Sequence, residues 1–181
     1  VVSGGGIAGL ATAAAFGQAG FSVVCVDPTP PVVDRDKQGA DMRTTAFLQP
    51  ARTLLEEAGL WARLADHAAP LQIMRIVDAG GAEIKPRVVK DFNASDISDL
   101  PFGWNLPNWL LRREFVAHLE EMPNVDLRLG VSATGLFTRT NEARVRMSDG
   151  ESLACKLVVA ADGRNSTIRE TANIGVKTTR Y

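Results

Sequence analysis

Hydrophobic and polar positions change period several times along this chain, and each change marks an element. Val1-Val2-Ser3 closes an apolar run, and Leu10 to Ala19 is small or apolar throughout, which predicts a helix lying close against a sheet. Phe21 to Val26 reads as a buried strand, ended by Asp27 and stopped by Pro28. The polar, proline-broken run that follows predicts an exposed loop. Pro50 suits the first turn of a helix over Ala51–Ala58, with Gly59 as its stop. Leu60 to His67 adds a turn or two, with Leu60, Trp61 and Leu64 on one face. Ile73–Val77 and Ala82–Val89 then follow a strand period, joined by a turn at Gly80-Gly81, and Pro101–Leu106 predicts a third strand crossing back. Phe115, Leu119 and Met122 recur at i, i+4 and i+7, which places a helix over Leu111–Met122. Beyond it come a short strand at Val125–Leu129 and a ribbon formed by Ser132–Phe137 and Ala143–Met147. Asp149-Gly150 marks a hairpin into Ser152–Leu157, and Leu157–Ala161 reads as a fully buried strand. Ser166 is placed to cap a short helix running through Thr171.

Between the first strand and the first helix stands Gly4-Gly5-Gly6-Ile7-Ala8-Gly9, a G-x-G-x-x-G in the strand–turn–helix setting that gives this motif meaning. Gly4 allows a sharp turn, Gly6 lets a pyrophosphate approach the backbone, and Gly9 lets helix and strand pack closely. The free N–H groups at the start of the helix, over Ile7 and Ala8, then attract phosphate. Asp27, at the end of the second strand, suits a ribose hydroxyl and repels a 2′-phosphate, which disfavours NADP at this site. These residues predict an adenine dinucleotide and leave FAD and NAD both open.

Composition narrows the class. The 181 residues are 45% hydrophobic and 23% charged, an ordinary globular balance. A formal charge of −1 argues against a broad nucleic-acid-binding surface. No apolar run is long enough to span a bilayer, and the two cysteines, Cys25 and Cys155, lie in strand-like runs as reduced core residues of a cytoplasmic protein. No carboxylate pair and no Ser/His/Asp set presents an acid–base or nucleophilic site, so the catalytic residues stay unassigned. Val1 begins inside a strand and Tyr181 ends on what reads as a new one, so the chain is expected to be an N-terminal piece of a longer protein.

A second motif, Asp162-Gly163-Arg164-Asn165-Ser166-Thr167-Ile168-Arg169, follows the last strand and resembles the D-G-x-x-S-x-x-R of class A FAD-dependent aromatic monooxygenases, the para-hydroxybenzoate hydroxylase-like group. Asp41-x-Arg43-Thr44-x-Ala46 resembles that family's segment after the second strand, and Arg112 stands at the helix start where the family contacts FAD. The run Asn105 to Glu114 looks most like the ubiquinone-biosynthesis hydroxylase branch. The resemblance implies a three-layer α/β Rossmann-like FAD-binding domain with inserted antiparallel strands of a partial substrate domain. Its expected division is 1–70 with 110–174 for the cofactor, and 71–109 with 175–181 for the substrate side. It implies an FAD-dependent hydroxylase in which NAD(P)H reduces the flavin and O2 supplies oxygen to an aromatic ring, such as a ubiquinone precursor. The cofactor performs the redox chemistry, and the protein binds, orients and excludes water.

Residue by residue, the resemblance adds Arg43, Arg112, Asp162 and Gly163 to Gly4, Gly6, Ile7, Ala8, Gly9 and Asp27 as cofactor-binding positions. Arg43 and Arg112 neutralise phosphate or ribityl-side polarity, Asp162 takes a ribityl hydroxyl, and Arg169 either serves the pyridine nucleotide or braces its loop. Asn108 is a neighbouring candidate. Against the resemblance, the usual Glu at the end of the second strand is Asp27, and no later G-D segment lies within these residues. The chain alone is therefore expected to hold FAD weakly and to lack turnover. Two alternatives remain: another FAD-dependent oxidoreductase (dehydrogenase, reductase or halogenase), and a non-catalytic dinucleotide-binding module. A lipid-tailed substrate would bring contact with the inner face of the membrane, although no amphipathic anchor is visible. Oligomeric state is not readable.

Overall fold

The computed structural model describes residues 1–80 and 85–180. The chain opens with strand β1 (Val2–Ser3), helix α1 (Ile7–Gln18) and strand β2 (Val23–Asp27). An excursion follows through β3 (Thr44–Leu48), α2 (Gln49–Glu57), 3-10 turns at Trp61–Arg63 and Ala65–His67, and β4 (Ala69–Pro70). It continues with the hairpin strands β5 (Ile73–Gly80) and β6 (Lys85–Asn93), then β7 (Gly103–Pro107). The chain returns through α3 (Asn108–Glu120) and β8 (Val125–Leu129). Strands β9 (Ala133–Thr138), β10 (Ala143–Met147), β11 (Ser152–Cys155) and β12 (Val159–Ala160) and helix α4 (Thr167–Thr171) complete it.

A parallel sheet of order β12-β1-β2-β8 divides two cores. The two-residue period of β2 shows why the strand is apolar on both faces: Val23 and Cys25 join the core under α1 and α3, and Val24 and Val26 join the core under the antiparallel sheet β11-β10-β9. Small residues in α1 let it sit close: Ala13 and Ala14 are fully buried, with Leu10, Phe115 and Leu119 packed around them. On the opposite side, Val145, Met147 and Ile168 fill the second core. The result is three layers, helix over parallel sheet over antiparallel sheet, as the order of elements implied.

Three details depart from the sequence reading. Helix α3 begins at Asn108, not Leu111. Pro107 caps it in extended backbone, and the N–H groups of Asn108 and Trp109 donate to the carbonyls of Arg43 and Asp41, so the first turn is satisfied before the apolar repeat begins. Leu157–Ala161 is not a fully buried strand; only Val159–Ala160 pairs, and Leu157 is 54% exposed, because β12 has a single neighbour and stands at the sheet's edge. Residues 175–180 form no strand, for no neighbouring edge takes their backbone groups among the described residues. The Gly81 half of the expected hairpin turn, the first residues of the strand expected from Ala82, and Tyr181 lie outside the described residues.

The excursion is not one sheet. Strand β7 runs antiparallel between β3 and β4, while β5 and β6 pair only with each other. Gly103 sets the first arrangement, since a Cβ there would lie 2.3 Å from the Phe47 carbonyl oxygen. Residues 103–107 therefore share a sheet with 44–48 and 69–70, on the other side of the division expected at residue 71.

Candidate functional site

The carboxyl edge of the parallel sheet is where the glycine turn and the Asp-Gly segment meet. Gly4 adopts φ +117°, a left-handed conformation open to glycine, and its N–H donates to the Val26 carbonyl at 2.8 Å. A Cβ on Gly4 would lie 2.2 Å from the Ala161 carbonyl oxygen, so the turn and the distant last strand are in backbone contact. A Cβ on Gly9 would lie 1.8 Å from the Gly4 oxygen; this is the close helix–strand approach. Gly6 is the exception. A Cβ there would meet nothing within 4 Å, so the space over it is open to a ligand.

Gly6 also caps α1, which has neither a side-chain cap nor an acidic residue in its first turn. The N–H groups of Ile7, Ala8 and Gly9 have no carbonyl one turn earlier, and they carry the positive end of the helix dipole. Asp27 faces this mouth: its carboxylate accepts from Gly5 N at 2.6 Å and from Thr29 N at 2.8 Å. A carboxylate has about four acceptor positions, so room remains for sugar hydroxyls. An uncapped helix start, an open glycine and a fixed acid beside them form a set that fits a dinucleotide diphosphate and its ribose.

Gly163 is exposed, with φ +84° and open space around it. Asp162 beside it is turned into its own loop, where its carboxylate accepts from Ser166 Oγ and from Ile168 N, the latter at 3.1 Å. Ser166 Oγ in turn accepts from Arg169 N at 3.0 Å, capping α4, and Arg169 Nη1 donates to the Arg164 carbonyl at 2.9 Å. The Ser and Arg of the second motif thus bond within their own loop.

A polar cluster gathers at the start of α3, on Asp41. Its carboxylate accepts Arg43 Nε and Nη2, both at 2.8 Å, and Asn108 Nδ2 at 3.1 Å, with Arg112 Nη2 at 3.6 Å. Thr45 Oγ1 donates to Asn108 Oδ1 at 2.6 Å. The Arg43 fork, with help from Asn108, holds the Asp41 carboxyl well below the usual carboxylate range. Arg112 is not at the helix start; with α3 beginning at Asn108 it lies in the second turn, clear of the strongest part of the dipole. Its Nε is buried with no hydrogen-bond partner among the described residues. Sequence alone marks Asn108 only as a neighbouring candidate and does not mark Asp41 as a hub. Their 67-residue separation hid the pairing, although a polar residue directly after Pro107 at a helix start was a usable signal.

Other candidates fall away from this edge. Burial pushes the Cys25 thiol up to about 12, which leaves it an inert core residue. His67 is exposed, and Trp61 and Trp104 pack edge to face beneath Arg52. A cavity of about 670 Å³ opens at the opposite edge, where Val2, Val23 and Val125 start their strands. Parallel sheets of this kind take ligands at their carboxyl ends, so cavity size does not mark the site here.

The family described as an FAD binding domain matches residues 1–181. Ubiquinone hydroxylase UbiL of Rhodospirillum rubrum is 32% identical over 181 residues, covering 100% of this chain and 41% of that protein. The 3-demethoxyubiquinol 3-hydroxylase of Escherichia coli is 29% identical over 99% of this chain and 45% of its own length. Among solved structures, the flavin-dependent monooxygenase PieE, in complex with FAD and substrate, superposes with a TM-score of 0.75 at 20% identity, covering 98% of this chain and 32% of that one. The chain spans less than half the length of these relatives.

Proposed function

Because this chain belongs to the FAD binding domain family, we propose that it is the cofactor-holding part of a monooxygenase that uses NAD(P)H and O2 to hydroxylate an aromatic ring, a ubiquinone precursor above all. FAD, when bound, supplies the electron transfer and oxygen activation. The observation that carries the reading is the open space over Gly6, set between the uncapped start of α1 and the Asp27 carboxylate. The N–H groups of Ile7, Ala8 and Gly9 would hold the diphosphate, Asp27 the adenosine ribose, and Arg43 and Arg112 the phosphate charge. Gly163 would let the flavin side pass close to the backbone.

The names of the relatives support a quinone precursor as substrate, and a lipid tail would place catalysis at the inner face of the membrane. No helix among the described residues is long and apolar enough to cross a membrane. The hairpin β5–β6 is the start of the substrate side, and 1–70 with 110–174 the cofactor side, β7 excepted. The test is on the full-length protein carrying this sequence: purified with FAD, it should couple NAD(P)H oxidation and O2 uptake to a hydroxylated quinone precursor. Tight FAD with no turnover on any phenolic substrate would favour a non-catalytic module instead.

A further inference from the structure

The Asp41 cluster is electrostatically incomplete. One carboxylate, its side chain only 10% exposed, faces two guanidinium groups, so a net positive charge is left over. Arg43 spends Nε and one Nη2 hydrogen on Asp41 and carries three further N–H groups on a side chain that is 81% exposed. Arg112 keeps a buried Nε with no partner among the described residues. Topology sets where this surplus sits. Helices α1 and α3 each lead directly into a strand of the same parallel sheet, β2 and β8, and so both run against the strands. Their N-termini therefore share the carboxyl edge, and Asp41, bonded to the first residue of α3, lies at the same edge as Gly6.

We propose that Asp41 is a positioning residue for the cofactor: its carboxylate holds the guanidinium groups of Arg43 and Arg112 at the carboxyl edge, where they close on the diphosphate side of FAD. This rests on the reading that the diphosphate lies over Gly6. Two long cationic side chains free in solvent would lose rotamer freedom on binding; a carboxylate that has already fixed them removes much of that cost. Asn108 and Thr45 fix the carboxylate in turn.

The experiment is an FAD titration of the full-length apoprotein and four variants: Asp41→Asn, Arg43→Gln, the double variant, and Gly6→Val. Removing either member of a charge-assisted pair should loosen FAD about tenfold, and the double variant should be no worse than Arg43→Gln by more than about threefold. A residue that only supports the fold would instead add its full effect to that of Arg43→Gln. Full additivity, or wild-type affinity in Asp41→Asn, overturns the proposal. If Asp41→Asn does not fold, Asp41→Glu, which keeps the charge and shifts the fork, is read through the same cycle. A Gly6→Val protein that still holds FAD as tightly as wild type removes the cradle and this proposal together; one that loses FAD while Asp41→Asn keeps it removes this proposal alone.

Discussion

Gly6 and Gly9 have the same side chain and opposite surroundings. An added methyl on Gly6 enters empty space, and one on Gly9 enters the Gly4 carbonyl. Gly6→Ala should therefore leave the thermal midpoint close to wild type while weakening FAD binding. Gly9→Ala should cost about 1–3 kcal/mol of folding stability, as overpacking does, seen in urea denaturation. Equal stability losses in both would contradict the division of labour. Spacing alone made these glycine roles legible. Asp41 was not legible, because nothing in a run of residues says which carboxylate two arginines and an asparagine will share. Its lowered pKa has a direction that can be checked. The folded pKa lies below the unfolded one, so the stabilisation is complete above about pH 4 and is lost as pH falls through the folded value. Stability curves of wild type and Asp41→Asn should thus differ most at neutral pH and converge in acid; a gap that widens in acid would reverse the sign.

At the scale of elements, the hairpin β5–β6 stands apart. Met74 pairs across to Phe92, and Asp78 to Val88, which puts Met74, Ile76, Val88 and Phe92 on one face with Lys90 lying over the Phe92 ring. The other face carries the Arg75–Asp91 ion pair between Ile73 and Val77. Ile73 and Val88 are about as exposed as residues on no core at all, at 58% and 60%. A two-stranded ribbon without a covering layer is only marginally stable. Its amides should exchange at least about a hundredfold faster than those of β2 and β8 in this chain, and slow down in the full-length protein once a substrate-side sheet covers it. Equal protection in the short chain would show the ribbon needs no cover. Alternation announced both strands from the sequence. It could not announce that β7 would leave them for β3 and β4, since strand pairing across more than fifty residues is decided by a close approach such as that at Gly103 and not by period. The apolar run at Leu157–Ala161 misled for a related reason: a sequence signals that a strand is greasy, not that it will end up at an edge.

For the whole molecule, the three layers were legible from the order of elements together with the family resemblance, because a strand–helix–strand start has few ways to pack. What stayed hidden was the path between them. The sheet places β1 between β2 and β12, so Ser3 pairs with Ala160 and the Val1 amino group donates to the Leu157 carbonyl at 2.8 Å. β1 is thus flanked on one side by β12, the latest in chain order of the four strands of its sheet. On the ribosome, the opening β-α-β unit must wait with one edge bare while some 130 further residues emerge, at about 5–20 residues each second. For that interval of many seconds the nascent polypeptide offers an unpaired edge and no finished nucleotide cradle. Chaperone demand should be concentrated before Ala161 has cleared the exit tunnel, and cofactor loading after it.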